Sequence, residues 1–244
     1  MIAASSRYFT LVYRSRGRLY LDATVYAVFA AVFLLSGGKE YGSVFLSFGA
    51  FVSLYFAFAV AREFGASFQP EVLSLVVRRC GRRGILAGAL VSLSLHHLIM
   101  AGGVVLLALA DSRVRQQATP VSLLFSCIHI ILSAAIAGGV LLHFSGMFVP
   151  MRREFRSKAT IVGLILAACG LVSSFAGEFT ESPTLVFLVR HGLPPLNPLL
   201  QNAMTPGFSP AQLAELGFGL LYAFVVFFLA FKRWQSLDLY PRTD

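Results

Sequence analysis

Charge is what this chain has least of. Only 13% of its 244 residues are Asp, Glu, Lys or Arg, about half the proportion usual in soluble domains. Hydrophobic residues make up 57%, which excludes an ordinary water-soluble domain and predicts an all-α integral membrane protein. Cysteine is nearly absent as well. Cys80 falls in a charged segment and Cys127 and Cys169 fall in apolar runs, so neither a disulfide framework nor a metal site is expected. There is no G-x-x-x-x-G-K-[ST] phosphate loop; the LSGGK stretch, Leu35 to Lys39, has none to work with, so the chain itself is not expected to bind ATP or another cofactor. Ser145-Gly146 lies outside any G-x-S-x-G elbow, and no carboxylate pair sits at catalytic depth, so an enzyme is not expected. The net charge of +9 comes without a basic arm interleaved with aromatics, which argues against nucleic acid.

Six runs are long enough, at about 20 residues each, to cross a bilayer. They are Leu19 to Leu35, Ser43 to Ala61, Ile85 to Ala110, Val121 to Phe148, Ala159 to Ala176 and Leu213 to Phe231. The whole of 1–244 therefore reads as one membrane domain of about six transmembrane helices. Arg7, Arg14, Arg16 and Arg18 stand where the apolar core of a cleavable signal would have to be, so no cleavage is expected. Residues 1–18 read instead as a helix on the membrane surface, with Tyr8, Leu11 and Val12 along one side and Arg7, Arg14 and Arg18 on another.

Positive charge orients these runs. With the N-terminus inside, sixteen Lys and Arg fall in inner segments and four, Lys39, Arg113, Arg115 and Arg190, in outer ones. Cytoplasmic loops carry such an excess, so both termini are expected on the cytoplasmic side of the cell membrane, with lipid around the spans. The outer connection 177–212 is long and carries six prolines. Its apolar segments Thr184 to Val189 and Leu199 to Met204 are too short to span, and predict re-entrant outer helices before the last run.

Ionisable groups inside apolar runs are functional suspects because they are costly there. His96, His97 and His129 qualify, but they lack ligand spacing and are expected to bond between helices. Asp22, close to Arg18, is expected to form a local ion pair. Small residues cluster at Ala134, Ala135, Gly138 and Gly139 and at Gly163, Ala167 and Gly170, which predicts close helix packing.

The segment 62–84 is the extended charged stretch between apolar runs. Pro70 suits a first helical position, and Val72, Leu75 and Val76 share one face of the helix that follows. Arg78, Arg79, Arg82 and Arg83 come next, favourable at a helix C-terminus and on the cytoplasmic side. The segment reads as a short, partly apolar cytoplasmic helix able to dock.

The order of a basic N-terminus, two spans, a charged loop with a short helix, four more spans and a broken outer loop before the last resembles the type-two (ABC-2) permease subunits of ATP-binding-cassette (ABC) transporters. Glu63, Gly65, Leu73 with Leu75, Gly81-Arg82 and Gly88 stand where that family carries a glutamate, a glycine, a leucine-rich helix, a small-residue/arginine turn and a glycine. Arg79 stands at the family's usual proline. The resemblance implies a permease, an exporter subunit forming half of a substrate pathway, paired with a second permease and driven by two ATPase subunits that hold ATP and magnesium. Glu63, Val72, Leu75, Val76, Arg79 and Arg82 would form the coupling surface. A secondary transporter or channel without an ATPase is the main alternative, and an inverted repeat that would favour it is not evident.

Overall fold

The computed structural model describes residues 2–15, 17–35, 80–81, 83–92, 112–117, 119–143, 181–194, 196–205 and 209–236, with Tyr55, Gly207 and isolated positions within 94–110 and 161–172. Its elements are all helical: α1 (Ile2–Ser15), α2 (Arg18–Leu35), α3 (Arg83–Ser92), α4 (Ser112–Gln117), α5 (Pro120–Leu142), α6 (Pro183–Gly192), α7 (Leu196–Ala203) and α8 (Pro210–Ser236).

Three of these helices begin in the same way, with a hydroxyl residue followed by proline. Thr119, Ser182 and Ser209 stand just before Pro120, Pro183 and Pro210. Proline at the first helical position wastes no hydrogen-bond donor, while the preceding hydroxyl accepts from an otherwise orphaned backbone N–H. Thr119 accepts from the Ser122 N–H at 3.2 Å and its own N–H donates to the Ser122 hydroxyl at 3.0 Å. Ser209 and Gln212 reciprocate similarly, at 2.9 and 3.2 Å, which closes a capping box.

α5 and α8 lie side by side and run parallel. A Cβ on Gly219 would lie 2.7 Å from Leu132, and one on Gly139 would lie 2.8 Å from Val226. Further along, His143 bonds the Val226 carbonyl at 3.0 Å, and Arg233 donates to the His143 carbonyl at 2.8 Å. Positions rise together in both helices, which only a parallel pair allows. α7 fills the seam in the opposite direction. Its Leu196 packs near Ala137 and Leu141, Leu199 packs among Leu132, Ile136 and Ala223, and the Asn202 carbonyl meets Gln212 near the start of α8. Leu199 and Ala203 are fully buried there.

At the other end of the chain, α1 docks on α3 through small residues. The Ser5 hydroxyl donates to the Ile85 carbonyl at 3.4 Å and Thr10 shares a 2.9 Å hydrogen bond with Ser92. A Cβ on Gly88 would lie 2.5 Å from the Ser5 side chain, so glycine there permits the two helices to approach. The buried side of α1 therefore includes the fully buried Ser5, while Leu11, on its expected apolar side, is 64% exposed. Gly81 adopts φ +67° just before α3, a left-handed conformation that favours glycine.

The expectation of about six transmembrane helices is corrected. Among the described residues two helices, α5 and α8, are long and apolar enough to cross a membrane. α2 has 18 residues, about 27 Å of helix, and its second turn carries the buried Asp22. Of the run Ile85 to Ala110, α3 covers the eight residues from Ile85 to Ser92 and docks on α1, and the rest is described only at isolated positions. The runs Ser43 to Ala61 and Ala159 to Ala176 lie largely outside the described residues. Apolar letters alone do not separate a span from a helix that other helices enclose. In α5, 72% of the most apolar stretch is already buried inside the fold.

Candidate functional site

Among the described residues, buried hydrogen-bonding side-chain atoms without a partner fall on His129 of α5, Asn202 of α7 and Glu215 of α8. Glu215, in the second turn of α8, is approached from α6 by the Arg190 guanidinium at 3.4 Å and by His191 Nε2 at 3.2 Å, both at Oε1. α6 is built to present these two groups together. The His191 Nδ1 bonds the Phe187 carbonyl one turn earlier at 3.0 Å, and the imidazole stacks on Phe187 with centroids 4.3 Å apart. Phe218, one turn beyond Glu215, closes against both rings at 6.0 and 4.8 Å.

Gln212 lies one turn before Glu215 and ties α8 to the end of α7. Its amide nitrogen donates to the Asn202 carbonyl at 3.5 Å and the Thr205 carbonyl at 3.4 Å. Its oxygen accepts from the Ser209 N–H. Across the seam, Ser133 of α5 donates to the Leu196 carbonyl at 3.5 Å. These bonds fix both ends of α7 between the two long helices.

His129 enters this junction from α5 with no exposure to the surroundings. Its Nδ1 bonds the Phe125 carbonyl one turn earlier at 2.9 Å. A carbonyl only accepts, so Nδ1 carries a proton. On the α8 side the polar neighbours of the ring are the Gln212 backbone and the Glu215 carboxylate. His129 Nε2, Glu215 Oε2 and Asn202 Nδ2 are buried and have no hydrogen-bond partner among the described residues. Groups in that condition are costly, by roughly 1–3 kcal/mol each.

The residues that sequence reasoning selected are placed unevenly. The coupling residues Glu63, Val72, Leu75, Val76, Arg79 and Arg82 lie outside the described residues, as do His96 and His97. His129 is described; it bonds the Phe125 carbonyl within its own helix and also has the Gln212 backbone of α8 as a polar neighbour. Asp22 accepts from the Tyr55 hydroxyl, a partner that no local reading of Arg18 and Asp22 would propose. Glu215, His191, Gln212 and Asn202 were not singled out by the sequence. The available signal was Glu215 itself, a carboxylate near the start of an apolar run. Among the described residues no group of three or more His, Cys, Asp or Glu side chains is placed to hold a metal ion.

Comparison with family models, with curated proteins and with solved structures finds no match for this chain.

Proposed function

We infer that the chain is a membrane-embedded permease subunit whose movements are driven by a separate ATPase subunit. The observation that carries the membrane part of this reading is the outward face of α8. Leu213, Leu220, Leu221, Phe224, Val225, Phe228 and Leu229 are each more than 40% exposed, along a helix with 22% of its most apolar stretch buried. An exposed apolar strip of this length is a liability in water and is favourable against lipid. Lys232 and Arg233 follow at its end, as cytoplasmic charges follow a span. Lys232 Nζ lies over the Phe228 ring at 5.5 Å, a cation–π contact between the end of the helix and its apolar face.

The ATPase part rests on the pattern from Glu63 to Gly88 and on the docking face of Val72, Leu75 and Val76. In this reading a second permease completes the pathway, and closure of the ATPases pushes on that face. The double variant Leu75→Asp with Val76→Asp tests it, because it places charge where an apolar anchor is needed. ATPase activity co-purifying with the tagged chain from its native membranes should fall to background, while membrane insertion is retained. Unchanged co-purification, or none with the parent, sinks the ATPase coupling.

A second reading, transport driven by an ion gradient without an ATPase, is favoured by the largely buried pair of His191 and Glu215. Ionisable groups in such surroundings are commonly parts of ion or proton pathways.

A further inference from the structure

α6 has little apolar burial to hold it in place. None of its residues is buried, and Leu185, Phe187 and Leu188 are each about half exposed. It reaches α8 with Phe187, Arg190 and His191, which meet Phe218 and Glu215. His191 and Glu215 are each 13% exposed, so a charge on either is costly unless the other answers it. The hydrogen bonds of His191 count its protons. The Phe187 carbonyl, 3.0 Å from Nδ1, can only accept, so Nδ1 carries a proton. Nε2 lies 3.2 Å from Glu215 Oε1, the oxygen that also pairs with Arg190 Nε at 3.4 Å. A carboxylate that answers a guanidinium is ionised and can only accept, so Nε2 carries a proton as well. His191 in this arrangement is an imidazolium. A neutral ring, in either tautomer, keeps one of the two bonds and turns a lone pair on the other acceptor.

We propose that α6 is a pH-sensitive latch, closed on α8 while His191 holds its second proton and released when that proton is lost. Closing takes up the proton, so falling pH favours the closed form and rising pH the open one. Histidine side chains exchange this proton at about pH 6–7. Arg190 stays charged throughout that range and keeps part of the contact on both sides of it. Among the described residues, the titratable and charged groups facing the pair are Arg190 from α6 and His129 from α5, which interacts electrostatically with Glu215; α7 carries none. The device makes the placement of a helix within the 177–212 connection depend on acidity. It needs no ATPase partner, so its test is separate from that of the coupling helix.

The test is hydrogen–deuterium exchange of the full chain in phosphatidylcholine nanodiscs, read by mass spectrometry on peptides covering α6, α5 and α8. Exchange at each pH is normalised to that of the chain unfolded in denaturant, so that protection reports local opening. In the parent, protection of α6 should fall several-fold from pH 6 to pH 8, with about tenfold per pH unit as the limit for one proton. Protection of α5 should hold over the same range. His191→Gln should abolish the fall in α6. Arg190→Gln should lower protection of α6 at both pH values and keep the fall, because a guanidinium does not titrate there. Parent-like protection of α5 and α8 in each variant reports an intact fold. Equal protection of α6 at the two pH values in the parent overturns the latch without recourse to any variant. A fall that persists in folded His191→Gln places the titrating group elsewhere and overturns it too.

Discussion

α5 and α8 have nearly the same apolar character and opposite surroundings. In α5, 72% of the most apolar stretch is buried, and in α8 it is 22%. What separates them is the placement of small residues. α5 carries Ser126, Ser133, Ala134, Ala137, Gly138 and Gly139 among its buried positions, so neighbours approach over much of its circumference. α8 buries one stripe, Gly219, Ala223, Val226, Ala230 and Trp234, and turns Leu and Phe outward. The difference teaches that hydropathy measures how unwelcome water is, whereas side-chain size around the helix decides whether protein or another apolar medium replaces it.

The largest expected effect tests whether both helices shun water. Ile136→Lys, at a fully buried position on α5, should cost on the order of 3–5 kcal/mol because its charge has no partner, and should abolish recovery of folded protein. Phe224→Lys on the exposed face of α8 should cost about 2.5–3.5 kcal/mol if that face meets lipid, read as lower yield of inserted protein. Full recovery of Phe224→Lys would break the comparison by showing that the face meets water.

The next effect sharpens it within α8 alone. A Cβ on Gly219 meets Leu132 and Leu199, whereas one on Gly217 meets nothing within 4 Å. Gly219→Ala should lower thermal stability in detergent by about 1–3 kcal/mol through overpacking. Gly217→Ala should raise it by up to about 1 kcal/mol through helix propensity. Equal responses would mean that the seam with α5 and α7 is not as tight as its geometry.

Gly88→Ala carries the same reasoning to the α1–α3 contact. A Cβ there meets Ser5 and the Ser6 backbone, so a loss of about 1–3 kcal/mol is expected, with faster proteolytic release of the N-terminal helix as the readout. The smallest effect belongs to Arg190→Ala. Arg190 is 37% exposed in its pair with Glu215, and exposed pairs contribute roughly 1 kcal/mol or less. A larger loss of melting temperature than His191→Ala produces would make Arg190, not His191, the main anchor of α6.

Much of the local structure was legible in the residues. The apolar segments Thr184 to Val189 and, but for Met204, Leu199 to Met204 fall on α6 and α7, and the outer prolines that broke the stretch into pieces also start helices at Pro183 and Pro210. Gly88 was legible as a special position, but its reason, the approach of Ser5 from more than eighty residues away, was not. The junction was hardly legible at all. Its members come from four helices, and neither the spacing of His129 nor that of Glu215 indicates the other.

By itself the sequence determined that the chain is helical and apolar and where several helices begin, because caps and periodicity act between residues a turn apart. Only the tertiary structure decided that α5 is enclosed while α8 is not, that the two run parallel around α7, and that His191 and Arg190 meet Glu215. Those outcomes depend on contacts between distant segments, whose side-chain volumes and unpaired polar atoms are matched only once the helices are packed.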